Sequence, residues 1–289
     1  MRFVTLKNGE NETLAIRIDD RVVTLQACNQ VWETDFPLDL FTLINQGRLD
    51  EIKERMSVVT SEELKILKAH SKPVSGAQFG PLYRHPRKIW GIGLNYREHA
   101  GDLKAIAPTE EPASFMKADT TIIGSGDEIY LPEQSQRVTA EAEIAIIIGR
   151  VCKNVSVSEA PSFVAGFTPV IDMTAEDILA KNPRFLTRAK NFDTFFSFGP
   201  EMLTCDEIED LNSVKVGTYL NGHLHRENVI SNMTFLPWFL VSFHSQVMTL
   251  LPGDIISTGT PGAVVIRAGD VAGCNIEGFL SLQNPVHGK

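Results

Sequence analysis

The sequence predicts an α+β fold, mostly β, with a small N-terminal α/β domain (residues 1–75) before a larger domain (residues 76–289). Short runs rich in β-branched residues recur along the chain, and helical periodicity is confined to a few segments. Strands and helices do not alternate in a βαβ rhythm, which favours a mixed or mostly antiparallel sheet. Residues 71–86 are rich in Pro and Gly, as is typical of a domain boundary.

Composition and charge exclude several classes of partner. Of the 289 residues, 43% are hydrophobic and 22% charged, which is enough for a sizeable core. The net charge of −9 comes without a basic run, so nucleic acid and anionic membrane surfaces are poor partners. The four cysteines form no C-x-x-C pair, and the N-terminus turns polar too early for a secretion signal. We therefore expect a cytoplasmic protein without a membrane span.

The N-terminal elements are predicted to be a small β-meander followed by two helices. Residues 3–6, 14–18 and 22–25 are β-rich runs separated by polar turns. Helices are predicted over residues 38–56 and 61–70, and the second helix opens with the sequence of a capped N-terminus. No residue here has the character of a reactive site.

The larger domain opens with residues 88–99, which start as a buried strand and end in polar residues. Gly91 and Gly93 suggest a dinucleotide-binding motif. Tyr96 takes the place of the third glycine, so we exclude a Rossmann site.

Residues 138–149 are the strongest candidate for a central functional strand. Residues 144–148 are apolar at every position, which predicts a strand covered on both faces. Alternation then sends Glu141 and Glu143 to the same side, where two like charges are costly unless a cation lies between them. A divalent ion with oxygen ligands fits this arrangement. A solvated strand end fits it equally well.

The remaining elements carry further polar groups at strand and loop ends. Residues 166–172 form a predicted strand that ends in Asp172, and Lys190 precedes an aromatic cluster. Asn221-Gly222 indicates a hairpin, and residues 251–262 run from a strand into a glycine-rich loop with Thr260. Helices are also predicted over residues 158–164 and 235–246.

Taken together, these segments resemble the fumarylacetoacetate hydrolase family, in its order and spacing from about residue 88 onward. They are Gly93-Leu-Asn-Tyr-Arg-Glu-His99, Phe115-Met-Lys117, Glu141-Ala-Glu143, Ile171-Asp172, Lys190-Asn-Phe-Asp-Thr-Phe and Leu251-Pro-Gly-Asp with Thr258-Gly-Thr-Pro. The resemblance implies a β-roll catalytic domain, usually a homodimer, that binds Mg²⁺, Mn²⁺ or Ca²⁺. The implied ligands are Glu141, Glu143 and Asp172, and the implied substrate is a small 2-oxo or 1,3-diketo acid.

The resemblance also assigns catalytic and substrate-binding residues. His99, oriented by Asp102, would activate water, and Lys190 would face the substrate oxygens. Thr260 and Tyr96 would bind substrate. Taken singly, His99 and Lys190 are more typical of solvated surface positions.

Two departures from the family pattern concern the substrate site. Glu176 and Leu179 stand where the family has arginine and glutamine. If Glu176 faces the substrate, it would disfavour dianionic substrates unless a cation such as Lys181, Arg184 or Arg188 pairs with it.

These observations predict a hydrolase or lyase that cleaves a C–C bond in such an acid. The alternatives are an isomerase, hydratase or decarboxylase on the same scaffold, and a member that has lost turnover and serves as a binding or structural subunit.

Overall fold

The computed structural model describes residues 1–98 and 108–288. Within these ranges the chain forms a thirteen-stranded sheet and a five-stranded sheet, with short helices around them. The prediction of a strand-rich α+β fold is therefore confirmed. The helices of the described ranges include none with the length and apolar character needed to cross a bilayer.

The strands are numbered in chain order. They are β1 Arg2–Asn8, β2 Asn11–Ile18, β3 Arg21–Thr24, β4 Lys72–Pro73, β5 Ile89–Gly93, β6 Ala113–Lys117, β7 Ile122–Ile123, β8 Ile129–Tyr130, β9 Val138–Ile148, β10 Val164–Ala175, β11 Phe196–Phe198, β12 Glu201–Leu203, β13 Lys215–Leu220, β14 His223–Val229, β15 Ile255–Ser257, β16 Ala263–Ile266, β17 Val271–Ile276 and β18 Leu282–His287.

The α-helices of the described ranges are all short. They are α1 Leu25–Trp32, α2 Leu40–Asn45, α3 Leu49–Ser57, α4 Ser61–Ala69, α5 Glu176–Lys181, α6 Leu186–Lys190 and α7 Pro237–Val247. The predicted cap of α4 is a full capping box between Thr60 and Glu63.

Three sequence predictions about helices need correction. The helix expected over residues 38–56 is two helices, because the chain turns at Gly47 with a φ of +69°. Residues 158–164 hold only a 3₁₀ turn, Ala160–Phe163. Helix α1 was not predicted at all, although Thr24 caps its first turn.

The N-terminal strands continue the main sheet. Strand β1 pairs with β12, and β12 pairs in turn with β10. Across this junction Arg17 forms an ion pair with the buried Glu201. The boundary near residue 75 thus divides one continuous sheet, and two separately folding domains remain a prediction.

The two long strands β9 and β10 form the centre of the fold. They pair antiparallel over most of their length, with Asp172 opposite Glu141. Side chains alternate along β9, so Ile144 and Ile146 pack into one core cluster while Ala145 and Ile147 pack into the other. The prediction that this strand is covered on both faces is confirmed.

Candidate metal centre

Three carboxylates meet on one face of β9 and β10. Glu141 and Glu143 are two residues apart on β9, and Asp172 lies directly across from Glu141 on β10. One ligand oxygen from each lies within 4.8 Å of the others. Glu143 and Asp172 are buried, and the Glu141 side chain is 13% exposed. The solvated strand end, the alternative interpretation of the sequence, does not describe these side chains.

Two lysines balance the carboxylates. Lys190, at the end of α6, places Nζ 2.8 Å from Glu141 Oε2 and 2.7 Å from Asp172 Oδ2. Lys117, at the end of β6, places Nζ 2.7 Å from Asp172 Oδ1 and also donates to the Lys190 carbonyl. Both ammonium groups are buried, so each requires these partners.

Neutral donors fix the two glutamates. Thr174 Oγ1 donates to Glu141 Oε1 at 2.8 Å. Ser257 Oγ and the Gly259 amide both donate to Glu143 Oε2, at 2.5 and 2.7 Å. The carboxylates are therefore held in place by the protein itself.

The charges shift the pKa values of the buried groups. Burial, with the nearby charges of Asp172 and Glu141, raises the pKa of Glu143 to about 8. Burial lowers the pKa of Lys190, but the surrounding carboxylates outweigh it and the pKa is raised. Burial dominates at Lys117 and lowers its pKa. Lys190 is thus the more firmly charged of the two lysines.

The donor set fits a hard divalent cation. Three carboxylates offer oxygen ligands, the type that Mg²⁺, Mn²⁺ and Ca²⁺ prefer. With all carboxylates ionised, three negative and two positive side chains leave one net negative charge, which a divalent cation would reverse.

Two of the candidate substrate residues, Thr260 and Tyr96, are buried side chains. Thr260 is buried, and its hydroxyl exchanges hydrogen bonds with the Gly262 backbone at 3.2 Å. Tyr96 is fully buried, and its hydroxyl has no hydrogen-bond partner among the residues described. Burial and the charge of Glu143 raise the pKa of Tyr96, so its hydroxyl stays protonated. His99 and Asp102 lie outside the described residues.

The structure corrects the expected partner of Glu176. Glu176 begins α5 and forms an ion pair with Arg137, which immediately precedes β9. Its backbone amide also donates to the Arg137 carbonyl at 2.9 Å. The sequence pointed to Lys181, Arg184 or Arg188, which are near in the chain, and could not show a partner brought in by strand pairing.

Sequence reasoning also missed several contributors to the centre. Lys117 was part of a family segment, but no function was assigned to it. A lysine as the last residue of a strand with several apolar residues is only a weak signal of a buried cation. Ser257 and Thr174 gave no signal, because their hydroxyls matter only through the pairing of their strands with β9.

A family model matches most of the larger, C-terminal part of the chain. Residues 88–287 match the model described as "Fumarylacetoacetate (FAA) hydrolase C-terminal". The match covers more than half of the chain and includes every proposed metal ligand.

Similar proteins come from several lineages. An uncharacterized protein of Archaeoglobus fulgidus is 41% identical over 77% of this chain and 87% of its own length. A mitochondrial oxaloacetate tautomerase of Bos taurus is 32% identical over 88% of this chain and 82% of its own length.

A solved structure shares the whole fold. The 5-carboxymethyl-2-hydroxymuconate delta-isomerase of Mycobacterium smegmatis aligns with a TM-score of 0.76 and 30% identity. The alignment covers 100% of this chain and 99% of that one.

Proposed function

This chain belongs to the fumarylacetoacetate hydrolase family, and we propose that it is a metal-dependent enzyme that cleaves a C–C bond in a small 2-oxo or 1,3-diketo acid. The observation that carries the proposal is the buried cluster of Glu141, Glu143, Asp172, Lys117 and Lys190. These five groups are held by short hydrogen bonds, with their charges nearly balanced.

The charge of the cluster favours a singly charged acid group. With a divalent ion bound and all three carboxylates ionised, the five side chains and the ion would carry one net positive charge. One substrate carboxylate would then make the buried site neutral, which minimises the desolvation cost of the complex. Such an ion supplies a centre that neutralises the carboxylate and polarises the adjacent carbonyl.

Lys190 has the main electrostatic role among the chain's own residues. Its ammonium group stays charged because three carboxylates surround it. Cleavage next to a carbonyl leaves an enolate, and a fixed positive charge facing that oxygen stabilises it. The centroid of the Phe115 ring lies 5.0 Å from Lys190 Nζ, so the ring covers one side of the ammonium group and excludes water there.

Two further groups are proposed to bind substrate. Thr260 lies in the loop that follows β15, and its hydroxyl would turn from the Gly262 carbonyl to donate to the substrate carboxylate, or its backbone amide would donate instead. The buried Tyr96 hydroxyl is a donor whose hydrogen bond a substrate oxygen would complete. We propose His99 as the base that activates water and Asp102 as the residue that orients it.

Tautomerisation or isomerisation of an oxo acid is the second candidate. It is favoured by the Bos taurus relative, which is named an oxaloacetate tautomerase, and by the Mycobacterium smegmatis isomerase. Both reactions pass through an enolate that Lys190 would stabilise, but neither needs an activated water.

One set of assays distinguishes C–C hydrolysis from tautomerisation or isomerisation. Metal-depleted protein is supplied with Mg²⁺, then tested for hydrolysis of an acylpyruvate and for keto–enol exchange of oxaloacetate. We expect hydrolysis in the wild type and its loss in His99→Ala, with Mg²⁺ affinity unchanged. Exchange without hydrolysis in both proteins would establish the second candidate instead.

A third outcome concerns loss of turnover. If neither reaction occurs although Mg²⁺ binds, the chain is a binding member of the family.

His70→Ala is the control for His99→Ala in these assays. His70 is an exposed histidine that directly follows α4 in the N-terminal region, so its removal should leave hydrolysis unchanged.

A further inference from the structure

Glu143 is held by two donors that belong to a single short stretch. Ser257 lies opposite Ala145 in the pairing of β15 with β9, so its side chain shares a face with Glu143. The Gly259 amide follows two residues later, at a φ of +96° that favours glycine. A side chain at Gly259 would also meet Asn95 Cβ at 2.8 Å. We call Ser257 and the Gly259 amide the Glu143 clamp.

The Glu143 clamp binds one carboxylate oxygen of Glu143, Oε2, and leaves the other, Oε1, without a hydrogen bond from these two donors. Both donors reach Oε2, at 2.5 and 2.7 Å, which satisfies both lone pairs of that oxygen. Within residues 1–98 and 108–288, no donor reaches Oε1. Ser257 is fully buried and Glu143 is 2% exposed, so water does not replace these bonds.

This arrangement restricts how Glu143 can bind a cation. A carboxylate with one saturated oxygen binds through the other oxygen alone. Ca²⁺ takes six to eight oxygens and often binds carboxylates through both oxygens, whereas Mg²⁺ requires octahedral geometry with fewer protein ligands. Mn²⁺ prefers the same hard octahedral oxygen set as Mg²⁺.

We propose that the hydroxyl of Ser257 is a positioning group that makes the centre select Mg²⁺ or Mn²⁺ over Ca²⁺. It does so by holding Glu143 as a ligand through Oε1 only. The inference rests on the proposed metal centre and goes beyond it by naming the residue that sets the choice of ion.

Calorimetric titration of metal-depleted protein with Mn²⁺ and with Ca²⁺ tests the inference. In Ser257→Ala we expect Mn²⁺ affinity to fall about tenfold, as for other losses of a group that orients a metal ligand. Ca²⁺ affinity should fall less or rise, because Glu143 Oε2 then keeps only the Gly259 amide as a donor and regains a lone pair with which to bind the ion. The ratio of Mn²⁺ to Ca²⁺ affinity should therefore decrease.

Two more variants complete the design. Ser257→Cys keeps the side chain small but offers only a weak donor, so it should lower the ratio in the same direction, even if Ser257→Ala does not fold. Ser242→Ala is the matched control. Ser242 lies on α7, and its buried hydroxyl donates to the Val155 carbonyl at 2.8 Å, so this variant also removes a buried hydroxyl. Its ratio should equal that of the wild type.

Two results overturn the inference, and they differ. An unchanged ratio in the Ser257 variants, with Mn²⁺ bound tightly by the wild type, refutes the clamp but leaves the proposed function intact. A wild type that binds no divalent ion refutes the proposed metal centre, and the inference with it.

Discussion

Glu143 is the residue on which the proposed centre depends most. It is buried and ionised only at a cost, as its raised pKa indicates. Glu143→Gln keeps the shape and the contact with the Gly259 amide but removes a charged ligand. We expect Mn²⁺ affinity to fall about a hundredfold by calorimetry. Equal affinity in Glu143→Gln and wild type would show that Glu143 is not a ligand.

The pKa of Glu143 also predicts how metal binding depends on pH. Because its pKa is about 8, Glu143 carries a proton below that pH, and a cation must displace it. Mn²⁺ affinity should therefore rise with pH up to about 8 and level off above it. Titrations in buffers of different ionisation enthalpy should show proton release at neutral pH. A pH-independent affinity would contradict the prediction.

At the residue scale, the sequence predicted the parts of the centre that depend on short-range pattern. Alternation put Glu141 and Glu143 on one face, and the family resemblance added Asp172 and Lys190. The sequence could not predict that Lys117 is buried against Asp172, because the two residues are 55 positions apart and lie on different strands. Strand register decides such contacts, and register is not readable from one strand alone.

At the scale of elements, helix α7 carries a buried titratable group away from the centre. His244 is fully buried, with its ring centroid 4.8 Å from that of Trp90, and its Nδ1 donates to the Leu240 carbonyl at 2.8 Å. Its Nε2 has no partner among the described residues. Burial lowers the pKa of His244, so the folded state favours the neutral ring.

This helix predicts a loss of stability in acid. In the unfolded chain a histidine gains its proton near pH 6.5, whereas folded His244 gains it only at lower pH. Stability should therefore decrease as pH falls below about 6.5. In His244→Leu the decrease in urea midpoint between about pH 7 and pH 5 should be smaller than in wild type.

The control for this prediction lies on the same helix. Phe239→Leu removes an aromatic ring that packs against Phe235 and Phe243 without removing a titratable group, so it should keep the pH dependence of the wild type. An equal pH dependence in wild type and His244→Leu would mean that His244 does not contribute to acid sensitivity.

The elements were predicted best where the sequence had a strong period. Strand β9 and the hairpin at Asn221-Gly222 were found because apolar runs and turn residues mark them. The long helix over residues 38–56 was wrong, since periodicity continued through Gly47 while the backbone turned there. Helix α1 was missed because eight residues give too little pattern to separate from a strand end.

At the scale of the whole molecule, an ion pair with a fully buried carboxylate links the N-terminal strands to the rest of the sheet. Arg17 lies on β2 and pairs with Glu201 on β12, with a second contact of 3.3 Å between Nη2 and Oε2. The Glu201 side chain is fully buried, and its Oε2 also accepts from the Leu280 amide at 3.1 Å. Three separate parts of the chain therefore depend on one carboxylate.

Removal of Arg17 should destabilise the whole protein. Arg17→Met keeps the aliphatic stem but leaves Glu201 buried and uncompensated, at a cost of about 3 kcal/mol in the free energy of unfolding. Burial already raises the pKa of Glu201, and without Arg17 its carboxyl would be protonated more readily. The destabilisation should therefore be smaller at acid pH than at neutral pH.

A double variant separates charge from packing at the same junction. Glu201→Gln removes the buried charge and still accepts from the Leu280 amide, so Arg17→Met combined with Glu201→Gln should be more stable than Arg17→Met alone. Urea unfolding of the two single variants and the double variant gives the coupling free energy directly. If the two effects simply add, the N-terminal strands are held by apolar packing and sheet pairing, and the ion pair contributes no net stability.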